Sequence, residues 1–447
     1  MVPAMSAGVG LHQGPIPTRR KVSLVYWCSS LMKYCTTLVF LPLAALAQFA
    51  PPPPGFEDPP TLVASEILQP EFVAGPNFTV RPPVPTYGGR NGYMIDSEFG
   101  VFEADGNAML VRRVRELGAI ARLREVSRTD EYKNALVTAA KSPVLAAKGL
   151  IEHPAKTISG VPKGIWKTLN RAGQSLKEVG ERRERSEYED SSAKELIGFS
   201  KTKRALALDL GVDPYSSNEA LQRELNGIAW TAFAGKATLK LATLPVGGGA
   251  GVALTATSAA GNFTSALRDQ SPSDLRLSNL KALLAMGCTR AAADAFLGNS
   301  AFSPTTQTAI VMNLQSLEGV KNRPSFVQLA NSSSTGEGDA TFFSETSRLL
   351  AHIHSNGTPL ARVEILGQFP LAITHDGRAV VALEWDYAAW TQYASDFITL
   401  IKESKFGKSA PTGVLIALSG DASPLVIEKA KQSGVELLTR LSPGPLK

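Results

Sequence analysis

Apolar positions recur along this chain first as one long block, then at helical spacing, and last in short, nearly continuous runs. The block is CTTLVFLPLAALA, Cys35 to Ala47, uncharged and preceded by Lys33. Helical spacing begins in VRRVRELGAIARLREV, where Val111, Val114, Leu117, Ile120 and Leu123 fall about three residues apart with arginines on the other face; this predicts an amphipathic helix. It resumes in EALQRELNGIAWTAFAGKATLKLAT, with Ser217 or Asn218 placed to cap the first turn. Further helices are expected over residues 271–355, started by Ser273-Asp274 and Ser303-Pro304 and broken at Pro324 and at Gly336 to Gly338. Polar NSSSTGEGD at 331–339 reads as an exposed loop.

After Gly357-Thr358-Pro359 the period changes. ARVEILG and FPLAITHDGRAVVALEW read as strands, and His375-Asp376-Gly377-Arg378 supplies the Asp-Gly turn of a hairpin. A helix (DYAAWTQYASDFITLIKES), the strand GVLIALSG, a helix opened by Ser423-Pro424 and the strand VELLTRL follow. Strand, helix, strand is a βαβ unit with parallel strands. The expected class is α+β, predominantly α-helical. Its expected parts are a leader (1–47), a proline-rich linker (48–95), a basic amphipathic helical region (96–200), a helical domain (201–357) and a C-terminal α/β module (358–447).

Composition sharpens the ends of this picture. Hydrophobic residues make up 44% and charged residues 19% of the 447, which argues against wholesale disorder and against a multi-span membrane protein. The apolar block has the length of a signal-peptide core and ends in the small-x-small pattern Ala45-Leu46-Ala47, so cleavage is expected between Ala47 and Gln48. Met32-Lys33 opens a compact signal by itself, and Thr18-Arg19-Arg20 offers a twin-arginine reading of a longer leader. The alternative is an uncleaved anchor in the inner membrane, although the run is shorter than the roughly 20 residues of a spanning helix. Cleavage removes Cys28 and Cys35 and leaves Cys288 alone. No disulfide-linked partner and no cysteine-based zinc site are therefore expected. Eleven prolines between Pro51 and Pro85 favour an extended polyproline II spacer.

Charge is uneven. Residues 112–185 hold seventeen Lys or Arg against eight Asp or Glu, an excess above the whole chain's +6. A solvated basic helical face is the plain reading. An anionic membrane surface or an unknown protein partner is the functional one. It is suggested by KTISGVPKGIWKTLNRAGQSLKEV, in which Lys163, Ile165, Trp166 and Lys167 mix apolar and basic groups. No nucleic-acid-binding module appears. Gly247 to Gly251 follow an apolar segment but miss the G-x-G-x-x-G spacing, and read as a turn.

The order hairpin, helix, strand, helix, strand resembles the core of the restriction-endonuclease-like superfamily over about Arg362 to Leu441. That resemblance implies a metal-binding acidic residue and a Glu/Gln-x-Lys pair on the central strands. Glu384-Trp385-Asp386 puts aspartate where lysine belongs, so shape alone carries over. Other candidates are His352, His354, His375 and Asp376, which would serve a hydrolase or a metal if the hairpin turn folded back over the preceding helix. Ser419, Gly420 and Asp421 follow a strand and precede a helix, where open α/β sheets bind ligands. Ser200-Lys201-Thr202-Lys203 matches S-x-x-K without its companion motifs. No cofactor motif is present. The expectation is an exported, non-catalytic binding or scaffolding component of the periplasm or cell envelope, with a secreted hydrolase as the alternative. The N-terminal residue of the protein recovered from its native cell checks the export reading: Gln48 is expected, and an intact Met1 or Met32 contradicts cleavage.

Overall fold

The computed structural model describes residues 53–140, 198–235, 260–442 and 444–447. The leader, residues 163–167 with Lys163, Ile165, Trp166 and Lys167, and the 247–251 glycine run lie outside the described residues. Pro51–Lys447 forms one compact unit. Helices dominate a mixed α+β fold.

The described part of the proline-rich segment is not a free spacer: Glu57 N–H donates to Trp390 O at 2.9 Å, and Pro60 O accepts from Thr86 N–H. From there it forms an antiparallel sheet: β1 (Thr61–Val63), β2 (Ala74–Gly75), β3 (Phe78–Val80), β4 (Pro83–Tyr87), β5 (Arg90–Ser97) and β6 (Gly100–Asp105), ordered β1-β4-β5-β3-β2 with β6 on β5. Two short helices, α1 (Ala64–Ile67) and α2 (Pro70–Val73), lie between β1 and β2. The prolines are compatible because their missing amides fall where no ladder bond is needed. Ala64 N–H donates to Pro82 O (2.8 Å) and Thr86 N–H to Pro60 O (2.9 Å), so even-numbered residues of β4 face β1. Pro83 and Pro85 turn their nitrogens the other way, and there β4 pairs β5 only at Thr86 and Tyr87. Along β5, Asn91, Tyr93 and Ile95 are buried in alternation.

Helix α3 (Asn107–Arg128) packs on this sheet, burying Leu110, Leu117, Ile120 and Leu123 in one cluster with Tyr93 and Ile95. Among the described residues the remaining N-terminal helices are α4 (Asp130–Ala140), α5 (Phe199–Asp209) and α6 (Glu219–Gly235). Asn218 caps α6, its Oδ1 accepting from Leu221 N–H (3.2 Å).

The central helices are α7 (Ala260–Asp269), α8 (Pro272–Ala285), α9 (Arg290–Gly298), α10 (Pro304–Ser316), α11 (Arg323–Ser333) and α12 (Glu337–Ser355). Ser303 caps α10 as expected, whereas α8 is capped by Ser271, two residues before the expected Ser273, because Pro272 fits the first helical position. Pro324 likewise opens α11 rather than ending a helix. The loop expected over 331–339 shrinks to Ser334, Thr335 and Gly336. Glu337 and Asp339 belong to the first turn of α12, where acidic groups are favoured by the helix dipole. Cys288 is buried in this core, and burial pushes its thiol pKa up.

The C-terminal module has the expected order. Strands β7 (Leu360–Leu366), β8 (Phe369–Thr374) and β9 (Ala379–Leu383) form an antiparallel meander; β10 (Tyr387–Ala388), helix α13 (Gln392–Glu403), β11 (Val414–Leu418), β12 (Asp421–Ala422), helix α14 (Pro424–Gln432) and β13 (Val435–Leu438) follow. The main sheet runs β13-β11-β9-β8-β7, with β9, β11 and β13 parallel. Every residue of β9 and β11 is buried, because helices cover both faces. Val380, Ala382, Leu415 and Ala417 join the central helices, while Val381, Leu383, Ile416 and Leu418 join Ile398, Ile401 and Val426.

The β4–β5 hairpin turn docks on the segment that leaves β9. Gly89 accepts from Asp386 N–H (2.7 Å) and Tyr387 N–H (3.1 Å). It has φ +85°, and a Cβ there would sit 2.5 Å from Trp385 Cγ, so only glycine fits. Gly89→Ala is expected to destabilise the protein by about 1–3 kcal/mol, the cost of a strained backbone position. Denaturant unfolding checks this, and a midpoint equal to wild type contradicts the docking.

Candidate functional site

Glu384-Trp385-Asp386 follows strand β9 directly, and Ser419 follows β11. The carboxyl ends of adjacent parallel strands are where α/β sheets open clefts. Facing them is the N-terminus of α3. Its N-cap is Gly106, which has no side chain to accept from the first-turn amides. Asp386 takes that role from 279 residues away: Asn107 N–H lies 3.1 Å from both of its carboxylate oxygens, and Asn91 N–H donates to Oδ2 at 2.8 Å. Gly106 has φ +96°, and a Cβ there would lie 3.1 Å from Glu384 Oε1 and 3.4 Å from Asp386 Oδ2. The absence of a side chain lets both acids approach the helix end. Around them Thr86, Asn91, Tyr93 and Asn107 form a chain of hydrogen bonds, with Tyr93 Oη donating to Asn107 Oδ1 at 2.6 Å.

Glu384 and Asp386 are each 2% exposed. Burial, and then the charge of Asp386, hold the Glu384 carboxyl well above its usual range. Burial also pushes Asp386 up to about 7, opposed by the Asn91 and Asn107 amides. For both carboxyls burial penalises the charged form. Glu384 Oε2 has no hydrogen-bond partner among the described residues.

Beside this pair lies a cavity of about 360 Å³, within the range of small-molecule sites. Gln69 and Phe72 close one side; Ala108, Val111, Arg112 and Arg115 reach it from α3; Val212 and Asp213, Glu345 on α12, Ser419, and Ser442 of the C-terminal tail complete it. Most of its charges are answered. Glu116 accepts from Arg113 Nη1 (2.9 Å), Ser216 Oγ (2.5 Å) and Asn218 Nδ2 (3.0 Å). Arg112 pairs with Glu337 at 3.0 Å, and Glu345 with Arg348 at 2.7 Å. Asp213, whose pKa burial raises, accepts from Tyr215 N–H (2.9 Å) and Thr305 Oγ1 (2.6 Å). Arg115 differs. It is 7% exposed, and its Nε and Nη2 are buried without a partner among the described residues. Burial alone lowers its pKa, yet a guanidinium stays charged at any physiological pH.

The residues expected from sequence are dispersed. Ser419 lines the cavity, its hydroxyl donating to Trp385 O at 2.8 Å. Gly420 N–H donates to the same carbonyl (2.8 Å), and Asp421 turns away to pair with Arg440 (2.8 Å). His352 contacts Asn356 (3.1 Å), and His354 Nδ1 accepts from Leu360 N–H (3.0 Å). Burial, and then the charge of His375, lower the His354 pKa, so the hairpin turn does approach the end of α12. Asp376 pairs with Arg378 at 3.1 Å. None of these four lines the cavity, and no group of three or more His, Cys, Asp or Glu among the described residues is placed to hold a metal ion. The sequence reading missed Glu384 as a buried acid, and Arg115 and Gly106 altogether. A glycine just before a helix with no capping side chain was the available signal. Comparison with protein-family models, with curated proteins and with solved structures finds no match.

The raised Glu384 pKa fixes the sign of a pH effect. The folded protein holds this proton to higher pH than the unfolded chain, so the stability it contributes is complete below the ordinary carboxyl range and is lost as pH rises through the raised value. Glu384→Gln keeps the shape and cannot ionise. It is expected to flatten the fall in melting temperature as pH rises above the ordinary carboxyl range, and parallel wild-type and variant curves contradict the assignment.

Proposed function

We propose that this chain is an exported, non-catalytic binding component of the periplasm or cell envelope that holds a small molecule in the cavity beneath the α3 N-terminus. The observation that carries the reading is the pair of buried, unpartnered polar groups, Arg115 Nε and Nη2 and Glu384 Oε2, beside about 360 Å³ of space. A folded protein rarely leaves such groups unanswered, because each costs about 1–3 kcal/mol. Their persistence next to open space supports a role for that space beyond packing. Binding is favoured over hydrolysis by the lining: among the described residues it contains no histidine, lysine or cysteine, its Ser419 hydroxyl donates to a carbonyl, and its Ser442 hydroxyl accepts from Arg348. The export part of the reading rests on the leader, and the basic stretch around Trp166 supports a cell-envelope contact by its sequence alone.

Thermal unfolding of the full chain against a broad set of small polar molecules tests the cavity, with Ala108→Phe as the control that fills it. Saturable stabilisation of the wild type by a member of the set is expected, about 2.7 kcal/mol at a hundred times Kd, and its loss in the variant. A set that shifts both proteins alike, or neither, contradicts the site.

A further inference from the structure

One wall of the cavity is an irregular strap rather than a helix or strand. Ser442 and Gly444 line the cavity beside Gln69 and Phe72, and the strap crosses the start of α3, where a Cβ on Gly444 would sit 3.9 Å from Asn107 Cβ. The strap begins at Arg440, a residue with a side chain held at φ +58°. Such positions cost free energy and gather at switch segments. Beyond the cavity the strap is latched. Pro445 and Leu446 are buried, and Leu446 joins Leu68 and Phe72 in the N-terminal core. Gln69 N–H donates to Pro445 O and Gln69 Nε2 to Leu446 O, both at 2.8 Å, and Lys447 N–H donates to Ile67 O at 2.9 Å. Gln69 thus belongs to the latch and to the cavity wall at once.

Resting on the binding role proposed above, we propose that this strap, residues 440–442 and 444–447, is the gate of the cavity. The latch releases Ile67 to Gln69, the strap swings about Arg440, and the cavity opens to solvent. Other lining residues sit on α3 and α12 or directly after β9 and β11, elements whose buried faces are packed into the hydrophobic clusters. Moving those elements means opening a core. The strap enters a core at Pro445 and Leu446, and its hydrogen bonds join groups that water can take over, which is the make-up of a segment that opens locally. Between hinge and latch it is held by Ser442, whose N–H donates to Ser419 O (3.0 Å) and whose hydroxyl accepts from Arg348 Nη2 (2.5 Å). Swinging the strap also relieves the left-handed backbone at Arg440, which lowers the cost of opening.

Thiol labelling of the full chain tests the gate without a ligand, so the gate can fail while the binding role stands, and the reverse. Cys28 and Cys35 are replaced by serine, and Val212→Cys puts a reporter on the cavity wall, where the native side chain is 3% exposed. Cys288, buried in the central helices, reports wider unfolding. Leu446→Ala trims the latch. It is expected to speed labelling of position 212 by dithionitrobenzoate about tenfold, with Cys288 unchanged. Lys447→Pro removes the amide that donates to Ile67 O, at an exposed position. Its expected rise at position 212 is about threefold, and it decides the matter if Leu446→Ala folds poorly. A rise shared equally by Cys288, or a rate at position 212 unmoved in a folded variant, overturns the gate. Labelling of position 212 at the rate of a free thiol behind the intact strap overturns it too, since the cavity then stands open.

Discussion

The rest of the structure depends on the Asp386 carboxylate. Sealed from water, it must find its hydrogen-bond donors inside the protein, and it finds them in Asn91 and Asn107, side by side at the open end of the β5–β6 hairpin. This fixes where the N-terminal sheet meets the C-terminal module and aims the start of α3 at the ends of β9 and β11. The backbone tightens the same joint: Asp386 and Tyr387 donate to Gly89, and Gly420 and Asp421 donate to the Trp385 and Asp386 carbonyls. Glu57 at the start of the fold accepts from Trp390 N–H and Ser423 Oγ, both at 2.6 Å. Lysine, which the resemblance to nuclease cores requires two residues after Glu384, would set a cation against the positive end of the α3 dipole. The departure from that motif and the docking of α3 are one fact seen twice.

The joint also explains the cavity. Two surfaces that meet through a few tightly specified contacts do not fill the space beside them, and here the gap is lined by groups brought from Gln69 to Gly444. The charges around its rim have nearby partners, as at Glu116 and Asp213, whereas Arg115 Nε and Nη2 and Glu384 Oε2 are buried with none among the described residues. Partial satisfaction of a buried polar network costs stability, and such a cost persists where function needs the group.

What could be read from sequence follows the range of the interactions. The C-terminal strands and helices came out in the right order because each is set by local period and by turn chemistry, as in His375-Asp376-Gly377-Arg378 and the Ser423-Pro424 cap. The N-terminal sheet was misread as a spacer because a count of prolines does not show which side of a strand their nitrogens face. Only the pairing of Pro83 and Pro85 against β1 reveals that. The site was the least legible part. Glu-x-Asp after an apolar strand and a bare glycine before a helix were visible, but nothing local relates Asp386 to Asn107 or predicts that Arg115, among the many arginines of a basic region, is the one buried without a partner. The histidines drew attention through residue type alone, and the structure spends His352 and His354 on closing the end of α12.

A crystal structure of the full chain grown with a small molecule that stabilises it tests the central claim most directly. The account predicts a bound molecule in the cavity, in contact with Phe72, Val111, Val212 and Ser419. A cavity holding only water, or an Arg115 guanidinium paired with a carboxylate of the chain itself, would contradict it.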